Sequence, residues 1–303
     1  MPLAKMALLP DRGVVRVAGP DAEKFLNGTI TADLDVLARQ AAAHSALLTP
    51  QGKILFDFFV TRTPEGEGTF LLETDRELAD GLAKRLRMYM LRANVKAENV
   101  SAAFEVAAVW GGSPAAHDKL VVYEDPRLAE MGLRVVAPVP PGLAAAQDNV
   151  AGDVERVAAE AYHAHRIALG VPEAGKDFPI GDTFPHEADL DLLNGVSFEK
   201  GCFIGQEVVS RMKHRGNVRK RVVPVEGAAP LRSRAPITVG GAEIGSIGSV
   251  AGVHGLALIR LDRAAEAAAK GQVLLADGVA VTLRKPVWAD FELAPASATV
   301  GNS

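Results

Sequence analysis

The run Lys200-Gly201-Cys202-Phe203-Ile204-Gly205-Gln206-Glu207 holds the only cysteine among 303 residues. One thiol cannot close an internal disulfide, and it supplies only one of the several thiolates that a zinc or iron–sulfur site needs. Most free cysteines are inert buried side chains. Here the surroundings favour a working thiol. A lysine stands two positions before it, and Gly205-Gln206-Glu207-Val208-Val209-Ser210-Arg211-Met212 can begin a helix just after it. A nearby ammonium and a helix N-terminus both favour thiolate, the nucleophilic and metal-binding form.

Two carboxylates stand out beside this thiol. Asp57 interrupts a strand in which Ile54, Phe56, Phe58 and Val60 share one face and Leu55, Phe59 and Thr61 share the other. A carboxylate on a strand buried on both faces needs partners, because desolvating its charge is costly. Those partners are either a ligand in a cavity or a nearby arginine or backbone amides, and the pattern alone allows both. Glu187 lies in Pro185-His186-Glu187-Ala188-Asp189-Leu190. A single carboxylate can accept from both the ring amide and the exocyclic amine of a pterin; an isolated glutamate can equally be a surface charge.

Arg211, Lys213, Arg215, Arg219, Lys220 and Arg221 follow one another without an intervening acid, and His214 adds a titratable site. Such a run is usually a solvated face. It could also meet an anionic ligand tail or RNA phosphates, the latter with strong salt dependence. Sparse aromatic residues argue against base stacking. His163 and His165 are two apart on a helix, so they do not form a metal pair.

The cysteine run resembles the signature of the YgfZ family: Lys-Gly-Cys, an aromatic, any residue, then Gly-Gln-Glu. The likeness extends over nearly the whole chain, through Asp11 to Ala22 with Phe25-Leu26, Arg166 with Gly170-Val171-Pro172, Asn194 to Phe198, and the run ending Arg219-Lys220-Arg221. That family belongs to the superfamily of folate-dependent aminomethyltransferases. The resemblance implies an α+β, three-domain cloverleaf around a folate-sized channel, closed by an all-β barrel. It divides the chain into a split first module (1–45 with 143–217), a second α+β module (46–142) and the barrel (218–303). It implies tetrahydrofolate as cofactor, bound by Asp57, by Glu187 at the pterin, and by Arg221, with Arg219 or Lys220, at the glutamate tail. Lys200 and Cys202 would do the chemistry, with no permanently bound metal.

The implied function is assembly or repair of iron–sulfur clusters, with client enzymes or cluster-assembly proteins as partners and tRNA-methylthiolating enzymes among the clients. The alternatives are an aminomethyltransferase acting on a lipoyl carrier protein and an RNA adaptor using residues 211–221. The superfamily pattern carries paired acids where Phe56-Asp57 stands, and loss of the first acid weighs against aminomethyl transfer.

Length and apolar content allow two or three domains with real cores. The formal charge of −4 gives no overall drive toward nucleic acid. No apolar run approaches the roughly 18 residues of a membrane span. One cysteine, and only Ala7-Leu8-Leu9 before Pro10, point to a reducing cytoplasm. Periodicity predicts strands at 54–61, 69–72, 106–110, 120–123 and 133–136. It predicts helices from Asp21, from Asp75 through Leu78, Leu82, Leu86 and Met90, and over about 154–169. The Pro64 to Gly68 stretch reads as a turn, Pro138 to Gly142 as a linker and Gly240-Gly241 as a hairpin turn.

Overall fold

The structure, a computed structural model, describes residues 3–63, 68–112, 120–140, 142, 154–216 and 218–293. Of the turn predicted at 64–68, residues 64–67 lie outside these, as does Pro141 of the linker predicted at 138–142. The chain divides into two compact units. The first comprises Met1–His163, Ile180–Pro185 and Leu193–Ser210; the second comprises Ala164–Pro179, His186–Leu192 and Arg211–Ser303.

The first unit holds two five-stranded sheets. In one, β3 (Ala42–Leu48), β4 (Ile54–Arg62), β5 (Thr69–Asp75), β2 (Arg12–Ala18) and β6 (Lys96–Asn99) lie side by side, all antiparallel. β3 spans the module boundary expected at residue 45. Helices α1 (Ala22–Asn27) and α2 (Ala79–Tyr89) cover one face of this sheet. Leu26, Leu82 and Leu86 meet Val15, Val17, Phe58, Val60, Phe70 and Leu72 there, and Phe56 packs against the same cluster. Strand alternation therefore sends Phe56 into the core and Asp57 to the opposite face. Helix α2 begins four residues after Asp75, whose carboxylate instead accepts from the Glu77 amide at 2.8 Å. Asp21 precedes α1 without capping it; its Oδ2 accepts from the Asn94 amide at 2.8 Å.

The second sheet runs β10 (Val154–Val157), β1 (Ala4–Leu8), β7 (Phe104–Trp110), β9 (Leu133–Pro138) and β8 (Val121–Glu124). Residues 154–157 correct the expectation of a helix there. They pair in parallel with Ala4 to Ala7, and helix α3 (Ala159–Leu169) starts only afterwards. Two valines in four residues suit an edge strand, and the open edge of β1 supplies ladder bonds that no isolated helical turn could match.

In the second unit, β11 (Lys220–Gly227), β14 (His254–Arg260), β13 (Ala242–Ala251), β12 (Pro236–Val239), β15 (Leu274–Ala276) and β16 (Val279–Leu283) close into a barrel. Val223, Val225, Ile237, Ile247 and Ile259 fill its core, and α5 (Leu261–Ala269) adds Ala264 and Ala267. Gly240 and Gly241, at φ +56 and +81, make the tight turn between β12 and β13. Arg166, fully buried, donates to Asp177 at 2.6 Å and Ser249 at 2.7 Å, which fastens residues 164–179 to β13.

Candidate functional site

Cys202 is exposed. The segment that carries it, residues 193–205, is fixed from two sides. On one side lie residues 30–32. Thr31 Oγ1 donates to the Gly195 carbonyl at 2.6 Å, and the Ser197 amide donates to the Thr31 carbonyl at 2.9 Å. Lys200 Nζ donates to the carbonyls of Ile30, at 3.0 Å, and of Ala32. On the other side Gly205, at φ +82, seats against the β3–β4 turn. A Cβ at that position would meet the Thr49 carbonyl at 2.7 Å, so backbone contact and backbone conformation both require glycine. Helix α4 (Gln206–Arg215) follows, as the sequence predicts.

Lys200 thus ties the cysteine segment to residues 30–32. Burial pushes its ammonium down to about 8, partly offset by Asp33 and Asp35. Its charge also lies 5.5 Å from the ring of Phe203, itself buried. The result is an accessible thiol on a rigid mount.

Asp57 is 9% exposed, on the β4 face that also carries Phe59. That face is not the apolar surface its neighbours suggested. The guanidiniums of Arg12, Arg127 and Arg134 lie 5.9, 4.8 and 5.1 Å from the Phe59 ring, in reach of cation–π attraction. Arg12 and Arg134 both donate to Glu73 Oε1, at 2.9 and 3.0 Å, and Arg127 donates to both oxygens of Asp125, at 2.9 and 2.7 Å. The Tyr123 hydroxyl donates to Glu73, and Arg134 donates to the Tyr162 hydroxyl. Burial works against the charge of Asp125, but Arg127 and Arg134 outweigh it and hold the carboxyl at about 2. His44 lies at the edge of the network, its Nδ1 2.8 Å from the Leu193 carbonyl. Burial, reinforced by Arg127, lowers its pKa to about 4. This buried network, which also underlies the cysteine segment through His44 and Leu193, was not read from the sequence. Its signal was nonetheless present: Glu73 follows Phe70-Leu71-Leu72, and Arg134 sits inside Leu133-Arg134-Val135-Val136, each a lone charge in an apolar strand.

In the second unit Glu187 is half-buried on a succession of turns. Its backbone carbonyl accepts from the Val222 amide at 3.0 Å. Arg221 is next door and buried. It donates to the His186 carbonyl at 2.7 Å, to Asp189 at 2.9 Å, and bidentately to Asp191 at 2.9 Å for each bond. Burial raises the pKa of Asp189 well above the usual carboxylate range, and the shared guanidinium does not offset it. The basic run is therefore not one solvated stripe. Arg211, Lys213, Arg219 and Lys220 are exposed, whereas Arg221 is buried against carboxylates.

The structure thus places Lys200 and Cys202 on one segment, with the Lys200 ammonium bonded to residues 30–32, and brings Glu187 beside Arg221; Asp57 lies on a strand of the first unit. Among the described residues, no group of three or more His, Cys, Asp or Glu side chains is placed to hold a metal ion, and no helix is long and apolar enough to cross a membrane.

Two sheets with a closed barrel after them define an aminomethyltransferase-type fold. The solved aminomethyltransferase T of the glycine cleavage system from Bartonella henselae superimposes with a TM-score of 0.75 over 95% of this chain and 86% of that one, at 18% identity. Residues 11–131 match the GCVT N-terminal domain, and residues 219–291 match the CAF17 C-terminal beta-barrel domain. The relatives narrow the class. The mitochondrial iron–sulfur cluster assembly factor IBA57 of Mus musculus is 36% identical over 83% of this chain and 76% of its own length. The Homo sapiens protein is 34% identical over the same shares. The Mycosarcoma maydis homolog is 35% identical over 73% of this chain, which spans 57% of that protein. The chain belongs to the family of IBA57 iron–sulfur cluster assembly factors.

These relatives are mitochondrial by name, which overturns the cytoplasmic placement. A lone cysteine argues against a disulfide-forming compartment but does not choose among reducing ones.

Proposed function

We propose that this chain is a folate-binding protein of the YgfZ type that assists the assembly or repair of iron–sulfur clusters in client enzymes, including tRNA-methylthiolating ones. The observation that carries this reading is the exposed Cys202 on a segment fixed by Lys200, Thr31 and Gly205. One thiolate supplies one of the usual four cluster ligands. The cluster is therefore cargo, and thiols of a partner must complete its coordination. An accessible thiol on a rigid mount suits transient ligation better than storage.

The residues present fit the pterin end of a reduced folate. Glu187 is a half-buried carboxylate on a fixed backbone, and its two oxygens suit the paired pterin donors. Asp57 is a more deeply buried carboxylate of the first unit. Bound at Glu187, tetrahydrofolate would supply a reduced pterin ring. Phe56 supports the assembly reading over aminomethyl transfer. It stands where the superfamily pattern has the first of two acids, and its side chain packs in the core away from Asp57.

Calorimetry with tetrahydrofolate tests the folate part. Removing a charged hydrogen bond costs about 1.5–3 kcal/mol, so Glu187→Ala and Asp57→Ala should each weaken binding roughly tenfold to a hundredfold. Unchanged affinity in both variants would remove these residues from the site. Activity of a cluster enzyme in cells lacking their own family member tests the assembly part: restoration by this chain is expected, and failure of the wild-type chain to restore it would contradict the reading.

A further inference from the structure

We infer that Arg221 is a positioning residue: it sets the backbone that presents Glu187, and it does not itself grip an anionic tail. The inference rests on the folate reading of Glu187. Its basis is where the guanidinium bonds already go. Nη1 meets the carbonyl of His186 and one oxygen each of Asp189 and Asp191, and Nη2 meets the other oxygen of Asp191. The Phe291 ring lies 4.8 Å from its carbon. Arg221 is 5% exposed with two carboxylates on one cation, and its one unpartnered donor, Nε, is itself buried, so an incoming anion has no path to it.

Its effect on Glu187 is direct. Adjacent residues of β11 hold adjacent residues of the turn: Arg221 takes the His186 carbonyl and the Val222 amide takes that of Glu187. The Asp189 amide closes the turn onto His186 at 3.2 Å, and Asp189 itself sits at φ +59, a conformation that a non-glycine residue keeps only when its surroundings hold it. The bond from Arg221 to Asp189 is part of that hold. Without the fork, the turn would relax and the Glu187 carboxylate would lose its fixed direction. The exposed Arg219 and Lys220 remain as the cations open to an anionic tail.

A double-mutant cycle on the full chain separates positioning from tail binding. Tetrahydrofolate bearing one glutamate and tetrahydrofolate bearing several are titrated calorimetrically. Arg221→Ala should weaken both by the same factor, about tenfold, and should add little on a Glu187→Ala background, because the two act as one unit. Arg221→Lys keeps the charge but not the fork and should resemble Arg221→Ala for both ligands. A larger loss for the polyglutamate form, additivity with Glu187→Ala, or full rescue by lysine would overturn the inference. Where Arg221→Ala unfolds, Asp191→Asn removes half of the bidentate pair and should give the same pattern at smaller amplitude. Should the wild type bind neither ligand, the folate reading fails by itself. Amide exchange then decides the positioning claim: Arg221→Ala or Asp191→Asn should speed exchange at residues 186–192 and at Val222 with the other barrel strands unchanged, and equal exchange rates would overturn it.

Discussion

Asp125 in the first unit and Asp189 in the second are both fully buried and both bonded to arginine, yet they titrate in opposite directions. Burial disfavours the charge of each. Asp125 faces two guanidiniums, Arg127 and Arg134, and its carboxyl falls to about 2. Asp189 shares the single guanidinium of Arg221 with Asp191, whose charge adds to the penalty, and its carboxyl rises well above the ordinary range. Burial is the largest influence on both, and the number of cations per carboxylate separates them. In the first network, wedged between two sheets, Asp125 is held as a carboxylate by two guanidiniums. In the second, burial and the charge of Asp191 push the Asp189 carboxyl upward against its bond to Arg221.

The sharpest way to break this contrast is Arg134→Met. It leaves Glu73 and Asp125 buried with one guanidinium fewer and should cost about 3–5 kcal/mol in denaturant unfolding. An effect under about 1 kcal/mol would mean that the network contributes no stability.

The acid limb gives a slightly smaller effect. The folded pKa of His44, about 4, lies below its unfolded value of 6.5, so the unfolded chain binds the extra proton first as pH falls. The contribution is present above pH 6.5 and is lost progressively down to about pH 4. It amounts to about 3 kcal/mol at most. His44→Gln should flatten the pH dependence of stability across this window. An unchanged slope would place the acid sensitivity elsewhere.

The smallest effects sharpen the comparison itself. Asp125→Asn removes a working charge and should destabilise by about 2 kcal/mol at neutral pH. Asp189→Asn substitutes a near-isosteric neutral group where burial already disfavours the charge and should change stability by less than about 1 kcal/mol. Equal costs for the two substitutions, read from urea midpoints, would remove the distinction.

What the sequence disclosed follows the range of each interaction. The helix after Gly205, the alternation of β4 and the Gly240-Gly241 turn are local, and they read correctly. So did Asp57 as an anomaly, because a charge in an apolar strand is visible without a partner. Its surroundings were not legible. Arg12 and Glu73 are 61 positions apart, and only the stacking of two sheets brings Arg134 to the same carboxylate. Arg221 misled for the opposite reason. Within a run of cations it looks like its exposed neighbours, and only the closure of the 186–192 turn on β11 shows that it is buried. Residues 154–157 read as helix because the parallel partner that makes them a strand lies at the other end of the unit, in β1.

The central claim is that Cys202 is a working thiol of an iron–sulfur assembly factor, and one measurement addresses it directly. Cells lacking their own family member are supplied with wild-type chain or with Cys202→Ser, and the activity of a cluster-dependent enzyme is assayed alongside the unfolding midpoint of each purified chain. An exposed side chain of this size makes little packing contribution, so stability should stay within about 0.5 kcal/mol. The account predicts that Cys202→Ser folds normally and fails to restore enzyme activity. Full restoration by Cys202→Ser would contradict it.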